Sequence, residues 1–251
     1  MEPNQQPEPE SIEMTAGAER SIWSIMIGVF TAPSQAFSDF KSRPSFLIPL
    51  IVLIVLAGLA AGLTAQYGAM VQYEMLKDST VLPPQALEQM RQDALETNPL
   101  YSALIATIPI VIVFMLTALL ALFLGKVVYG GKAEFKSVWA VTLLGGLISM
   151  VGGLLRVPLI LAKESALVSF GLAAFLPGRD FSSILFSFLF YLDAFAVWSI
   201  IVTGIGYGII FGITRGKGMA ISVITSVLFI VIMIALTCVG LGFAGVDITF
   251  V

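Results

Sequence analysis

Two residues of this 251-residue chain carry opposite charges where almost nothing else is charged. Asp193 is the sole charge in the 34 residues 181–214, a stretch otherwise apolar, glycine or hydroxyl-bearing, and Arg156 lies in the run GGLLRVPLI. The apolar segments that hold them, about 188–213 and 138–161, are each long enough to cross a bilayer as a helix, and a carboxylate at membrane depth costs several kcal/mol unless it is partnered or hydrated. Three chemistries fit. The carboxylate and guanidinium can form an ion pair that fixes helix register, they can bind a solute or proton, or the carboxyl can reach the outer surface. Other chemistry has little to work with. The sequence has no histidine, the commonest general base and metal ligand, and its one cysteine, Cys238, sits in an apolar run. No span holds two carboxylates or a Ser/Lys pair at helical spacing, so neither a catalytic residue set nor a cofactor or metal site is expected. The string GIGYGIIFG is no dinucleotide fingerprint, because Ile209 stands where the third glycine belongs and no βαβ unit surrounds it.

The elements that must position these charges are membrane helices. Hydrophobic residues make up 58% of the chain and charged ones 12%, with a mean hydropathy of +0.98. A soluble domain carries about 25% charged residues, so too little polar surface exists here to cover a water-facing globule. The net charge of −3 is too small to argue for nucleic acid. Five charge-poor apolar runs predict spans over about 45–67, 100–125, 138–161, 188–213 and 219–243. They are continuous rather than alternating, which excludes strands. A count of four or six results if 170–176 dips into the membrane or a span breaks at its glycines. The expected fold is therefore an all-α membrane protein, a five-helix bundle occupying 21–251 behind an acidic, Pro- and Gln-rich disordered tail over 1–20. No cleavable leader is visible in that tail.

With the N-terminus cytoplasmic, Arg20, Lys41, Arg43, Lys126, Lys132, Lys136, Arg215 and Lys217 fall inside, against Lys77, Arg91, Arg156, Lys163 and Arg179 outside. The positive-inside bias thus predicts a cytoplasmic N-terminus and an outside C-terminus in a cell membrane. The long loop from Gly68 to Pro99 then faces outward. Pro83–Pro84 opens a short helix in it with an apolar stripe of Leu87, Met90 and Ala94, suited to capping the bundle or meeting a partner.

Ahead of the first span, Ile22, Met26, Val29, Phe30, Pro33, Phe37 and Phe40 share one helical face over 21–42, and Trp23 suits the headgroup level. Pro33 breaks this amphipathic segment in two, with Thr31 a candidate cap for the second piece. It either floats as an interfacial helix or packs on the bundle's ends. Small residues at helix-packing spacing follow: Gly58 and Gly62 in the first span, then Gly204, Gly208 and Gly212 in the fourth. Gly145, Gly146, Gly152 and Gly153 loosen the third.

The pre-membrane segment TAPSQAFSDF, the stretch GGKAEFKSVWAVT and above all LDAFAVWSIIVTGIGYG are similar to bacterial members of the Yip family, the Ypt/Rab-interacting-protein-like membrane proteins. The family's fourth-span pattern corresponds here to Leu192, Asp193, Phe195, Trp198, Gly204 and Gly206. The resemblance implies five spans, a cytoplasmic N-terminus and no catalytic residues; eukaryotic relatives are associated with Rab-type GTPases and vesicle traffic. Two functions remain open. One is non-enzymatic membrane organisation or partner binding, through lipid, other membrane proteins or a second copy of the chain. The other is a small permease or efflux component whose path is lined by Asp193 and Arg156.

Overall fold

The computed structural model describes residues 21–42, 44–177 and 180–250; the expected tail over 1–20, together with Arg43 and Arg179, lies outside the described residues. Ten α-helices run through the described residues: α1 (Ile22–Thr31), α2 (Pro33–Lys41), α3 (Leu47–Leu63), α4 (Ala65–Leu76), α5 (Pro84–Leu95), α6 (Pro99–Phe123), α7 (Phe135–Lys163), α8 (Ile184–Tyr191), α9 (Ala194–Phe211) and α10 (Arg215–Phe243). The sole sheet-like pairing among them is an isolated bridge between Ser183 and Thr249.

Four helices are long and apolar enough to cross a membrane: α6 with the π-helical turn that extends it to Val128, α7, α9 and α10. The helices α3 and α4 form a pair bent by 68°, which makes the fifth span if the pair is one. The expected first span to Tyr67 therefore stops short, at Leu63. Thr64 ends it, its hydroxyl donating to the Ala60 carbonyl at 2.8 Å and its N–H to Ala60 and Gly62. At about 1.5 Å per residue, the 17 residues of α3 and the 18 of α9 each cover a little less than the ~30 Å of a hydrocarbon core. The fourth span departs further from expectation. In place of one helix over 188–213 the chain forms α8 and then α9, with the break at Leu192–Asp193.

The N-terminal segment divides at Pro33, which opens α2 at its first position. Thr31 is the last residue of α1 rather than a cap. Ala32 holds the capping position of α2 without a side-chain hydrogen bond, and its own N–H is spent on Gly28. One face of the two helices packs on the bundle: Val29, Ala36, Phe37 and Phe40 are fully buried among residues of α7 and α9. The other face of α1 is left outward, with Trp23 57% and Ile27 69% exposed. The segment thus follows the second expectation: the face with Met26, Val29, Phe37 and Phe40 packs on the ends of the bundle, and its outward edge stays apolar. Lys41 ties α2 to the end of α9, its Nζ donating to the Ile209 carbonyl at 2.9 Å. A cation on exposed terminal carbonyls contributes about 0.3–1 kcal/mol. Lys41→Met should lower the unfolding midpoint by that small amount, read by thermal denaturation in detergent.

At the opposite end, α5 turns Ala94 inward, and Met90 lines a small pocket with Met75 and Leu76 of α4 and Leu236 and Leu241 of α10. The loop helix thus packs on α4 at this end of the bundle. The connection after α10 is pinned there too, because the Ser79 hydroxyl donates to the Ala244 carbonyl.

Candidate functional site

Four helices, α6, α7, α9 and α10, surround a cavity of about 440 Å³ whose wall is mostly hydrocarbon. Asp193 and Arg156 line one end of it, and Thr142 and Tyr207 the other. Along both α7 and α9 these ends lie 14 residues apart, about 21 Å at 1.5 Å per residue.

Asp193 is 4% exposed. It caps α9: Oδ1 accepts the Ala196 N–H at 2.8 Å, filling one of the first-turn donors that a helix cannot satisfy itself. Oδ2 lies 3.7 Å from Arg156 Nη2, whose side chain is 22% exposed. That spacing is an ion pair longer than a charge-assisted hydrogen bond of about 2.7–2.9 Å. The guanidinium also sits over the Phe190 ring, 5.6 Å from its centroid. A loop closes this end. The Gly171 backbone lies so near Asp193 that a Cβ there would stand 3.0 Å from the Asp193 Cα, and Phe170 meets Phe195 edge-on at 5.6 Å.

The hydroxyls of the cavity wall are largely committed to the fold. Thr142 bonds Val138's carbonyl at 2.8 Å and the Tyr207 hydroxyl at 2.9 Å. Ser199 donates to Gly145 across the α7–α9 contact, and Ser222 to Ile200 across the α9–α10 contact, at 2.8 and 2.7 Å. Thr225 turns back on its own helix. Tyr207→Phe leaves Thr142 its Val138 partner, so a loss of only about 1 kcal/mol is expected in chemical denaturation.

The small residues divide by role. Gly58 and Gly62 face Ala103 and Pro99, bringing α3 onto α6. Gly204 lies under Met219, and Gly208 faces Arg215 of α10, where Gly218 in turn meets the backbone of Gly204 and Gly208. Gly212 is not a packing residue: at φ +66° it is the left-handed cap ending α9, with no neighbour a Cβ would meet. In α7, Gly145 receives Thr203, Gly146 Phe114 and Gly152 Phe195, whereas Gly153 faces open space. Sequence reasoning passed over Gly125 and Gly131. Both lie against Phe211, and Lys132 N–H reaches the Phe211 carbonyl at 3.0 Å, so the turn between α6 and α7 docks on the end of α9. Among the described residues, no group of three or more potential metal ligands occurs.

Continuous apolar helices with charge held at their ends define a multi-pass α-helical membrane protein. A family model described as the Yip1 domain matches residues 27–236, and the chain belongs to that family. No curated protein and no solved structure matches it.

The LDAFAVW pattern now has a physical reading. Leu192 ends α8, Asp193 caps α9, and Phe195 fills the notch at Gly152, while Gly206 admits Val141 and Phe37. Trp198, 44% exposed, points away from the core. Trp198→Ala should therefore leave the unfolding midpoint almost unchanged, within about 0.5 kcal/mol.

Proposed function

We propose that this Yip-family protein is non-enzymatic and acts by binding, organising lipid or membrane partners rather than transforming a substrate. The observation that carries the reading is the employment of Asp193: one carboxylate oxygen caps α9 and the other pairs with Arg156. A carboxylate so held is poorly placed to shuttle a proton. The outward edge of α1, Trp23 and Ile27, and the exposed Trp198 supply surfaces for lipid or protein. Lys41, Lys126, Lys132, Lys136, Arg215 and Lys217 all belong to the α1–α2 end of the bundle. This supports a cytoplasmic N-terminus, an outside C-terminus and residence in a bacterial cytoplasmic membrane.

A second reading, a small permease, draws on one observation: Asp193 and Arg156 both line the cavity. Reconstituted proteoliposomes with an enclosed pH dye and an imposed potential separate the two. Binding predicts proton flux no faster than in empty vesicles, for wild type and Asp193→Asn alike. Flux in the wild type that Asp193→Asn abolishes would establish the permease.

A further inference from the structure

The cavity has one strongly polar end and a long apolar body. Arg156 has five N–H donors. Among the described residues its guanidinium has a carboxylate at 3.7 Å and an aromatic face at 5.6 Å, and donates no hydrogen bond. A guanidinium at membrane depth with its donors unspent calls for an acceptor-rich anion, and a carboxylate or phosphate matches its planar fork. The body of the cavity calls for something else. Its wall is mostly hydrocarbon, and Thr142, Ser199, Ser222 and Thr225 have already committed their hydroxyls to backbone carbonyls. Thr117, Ser149, Thr203 and Ser226 add scattered polarity without a charge. With its two ends about 21 Å apart, the cavity is elongated, a shape that suits a hydrocarbon chain better than a compact solute. The loosest seam in its wall lies between α6 and α10, which pack on each other less than the other neighbouring pairs around the cavity and leave a lateral route as the one to test. Pro109, inside α6, lies on that wall and interrupts its hydrogen-bond ladder.

We infer that the cavity between α6, α7, α9 and α10 takes one acyl chain of an anionic amphiphile, entering from the bilayer with its acidic head on Arg156. The inference rests on the binding reading above and gives it a ligand class. Asp193 then has a second effect: it holds the guanidinium at the cavity mouth and disfavours a dianionic head. Thr142 and Tyr207 form the floor beneath the end of the chain.

The test uses the full-length protein in phosphatidylcholine vesicles. The probes are hexadecanoic acid with a diazirine at its far end, a phosphatidylglycerol carrying the same diazirine on one chain, and the matching hexadecanol. After irradiation, labelled peptides are mapped by mass spectrometry. Saturable labelling of α7 around Thr142–Gly146 or α9 around Thr203–Tyr207 is expected from the fatty acid, the phospholipid or both. Whichever labels identifies the source of the chain. Arg156→Gln should cut this labelling about tenfold and bring it to the level of the alcohol. Ser226→Phe, which fills the cavity away from the ion pair, should abolish it while leaving the head contact intact. Labelling confined to outward faces of α3 and α6, or labelling indifferent to Arg156→Gln, would overturn the inference. So would protection by inorganic phosphate alone without any chain labelling, which would reduce the site to an anion pocket. Failure of the binding reading is read separately, as Asp193-dependent proton flux in the proteoliposomes.

Discussion

Asp193→Ala is expected to destabilise the detergent-solubilised protein by about 2–4 kcal/mol, and Asp193→Asn by distinctly less. Two losses combine in the alanine variant. The first is the cap: Oδ1 accepts the Ala196 N–H at 2.8 Å, and removing an N-cap side chain typically costs about 1 kcal/mol. The second is the counter-charge of Arg156. Removing one partner of a buried pair costs about 3–5 kcal/mol. The 3.7 Å separation and the partial exposure of Arg156 place this pair below that range. Asparagine caps a helix about as well as aspartate, so Asp193→Asn keeps the first contribution and loses only the second. Thermal unfolding of both variants should therefore rank wild type above Asn and Asn above Ala. Equal loss in Asn and Ala would mean that charge alone matters and the cap contributes nothing.

The second large effect belongs to the seam between α9 and α10. A Cβ at Gly218 would meet the Gly204 carbonyl oxygen and the Gly208 backbone, neither of which can rotate away as a side-chain tip can. Gly218→Val should therefore cost at least the upper end of the usual ~1–3 kcal/mol for overpacking, and Ser222, whose hydroxyl reaches Ile200 at 2.7 Å, should lose that bond as the helices part. Gly240 is the control within the same helix, because nothing lies within 4 Å of the Cβ it would gain. Gly240→Ala should raise stability by about 0.5–1 kcal/mol through backbone entropy and helix propensity. The opposite signs, read in one unfolding assay, separate interhelical contact from intrinsic propensity. In lipid, close backbone approach replaces the hydrophobic drive that holds soluble helices together, which is why a side chain at Gly218 has such weight here.

The helical membrane fold was legible because charge-free runs of spanning length admit few alternatives, and the Pro33 break and the α5 stripe of Leu87, Met90 and Ala94 carried their usual local signals. The position of Asp193 in its helix was not. An aspartate just before an apolar helix normally announces a cap by the start of periodicity. Here the residues on both sides, YL and AFAVW, are equally apolar, so the α8–α9 break leaves no change of pattern. The same uniformity made Gly212 look like a third packing glycine, when its positive φ reflects helix termination. Thr31 misled through its residue type: the Pro33 ring placed Ala32 at the junction instead. The cavity did leave a trace. Thr142, Gly146 and Ser149 on α7, Ser199 and Thr203 on α9, and Ser222, Thr225 and Ser226 on α10 recur at three- and four-residue spacing, one polar or small stripe per helix. Which stripes face one another is a tertiary fact that spacing within a single helix does not contain.

The central claim is that Asp193 and Arg156 act as a pair that supports the fold. A double-mutant cycle of Asp193→Asn and Arg156→Met, measured by unfolding in detergent, tests it most directly. The predicted result is a coupling of about 1 kcal/mol or more, with the double variant more stable than the sum of the single losses allows. Additivity within about 0.3–0.5 kcal/mol would contradict it, leaving two independent charges that merely line the same cavity.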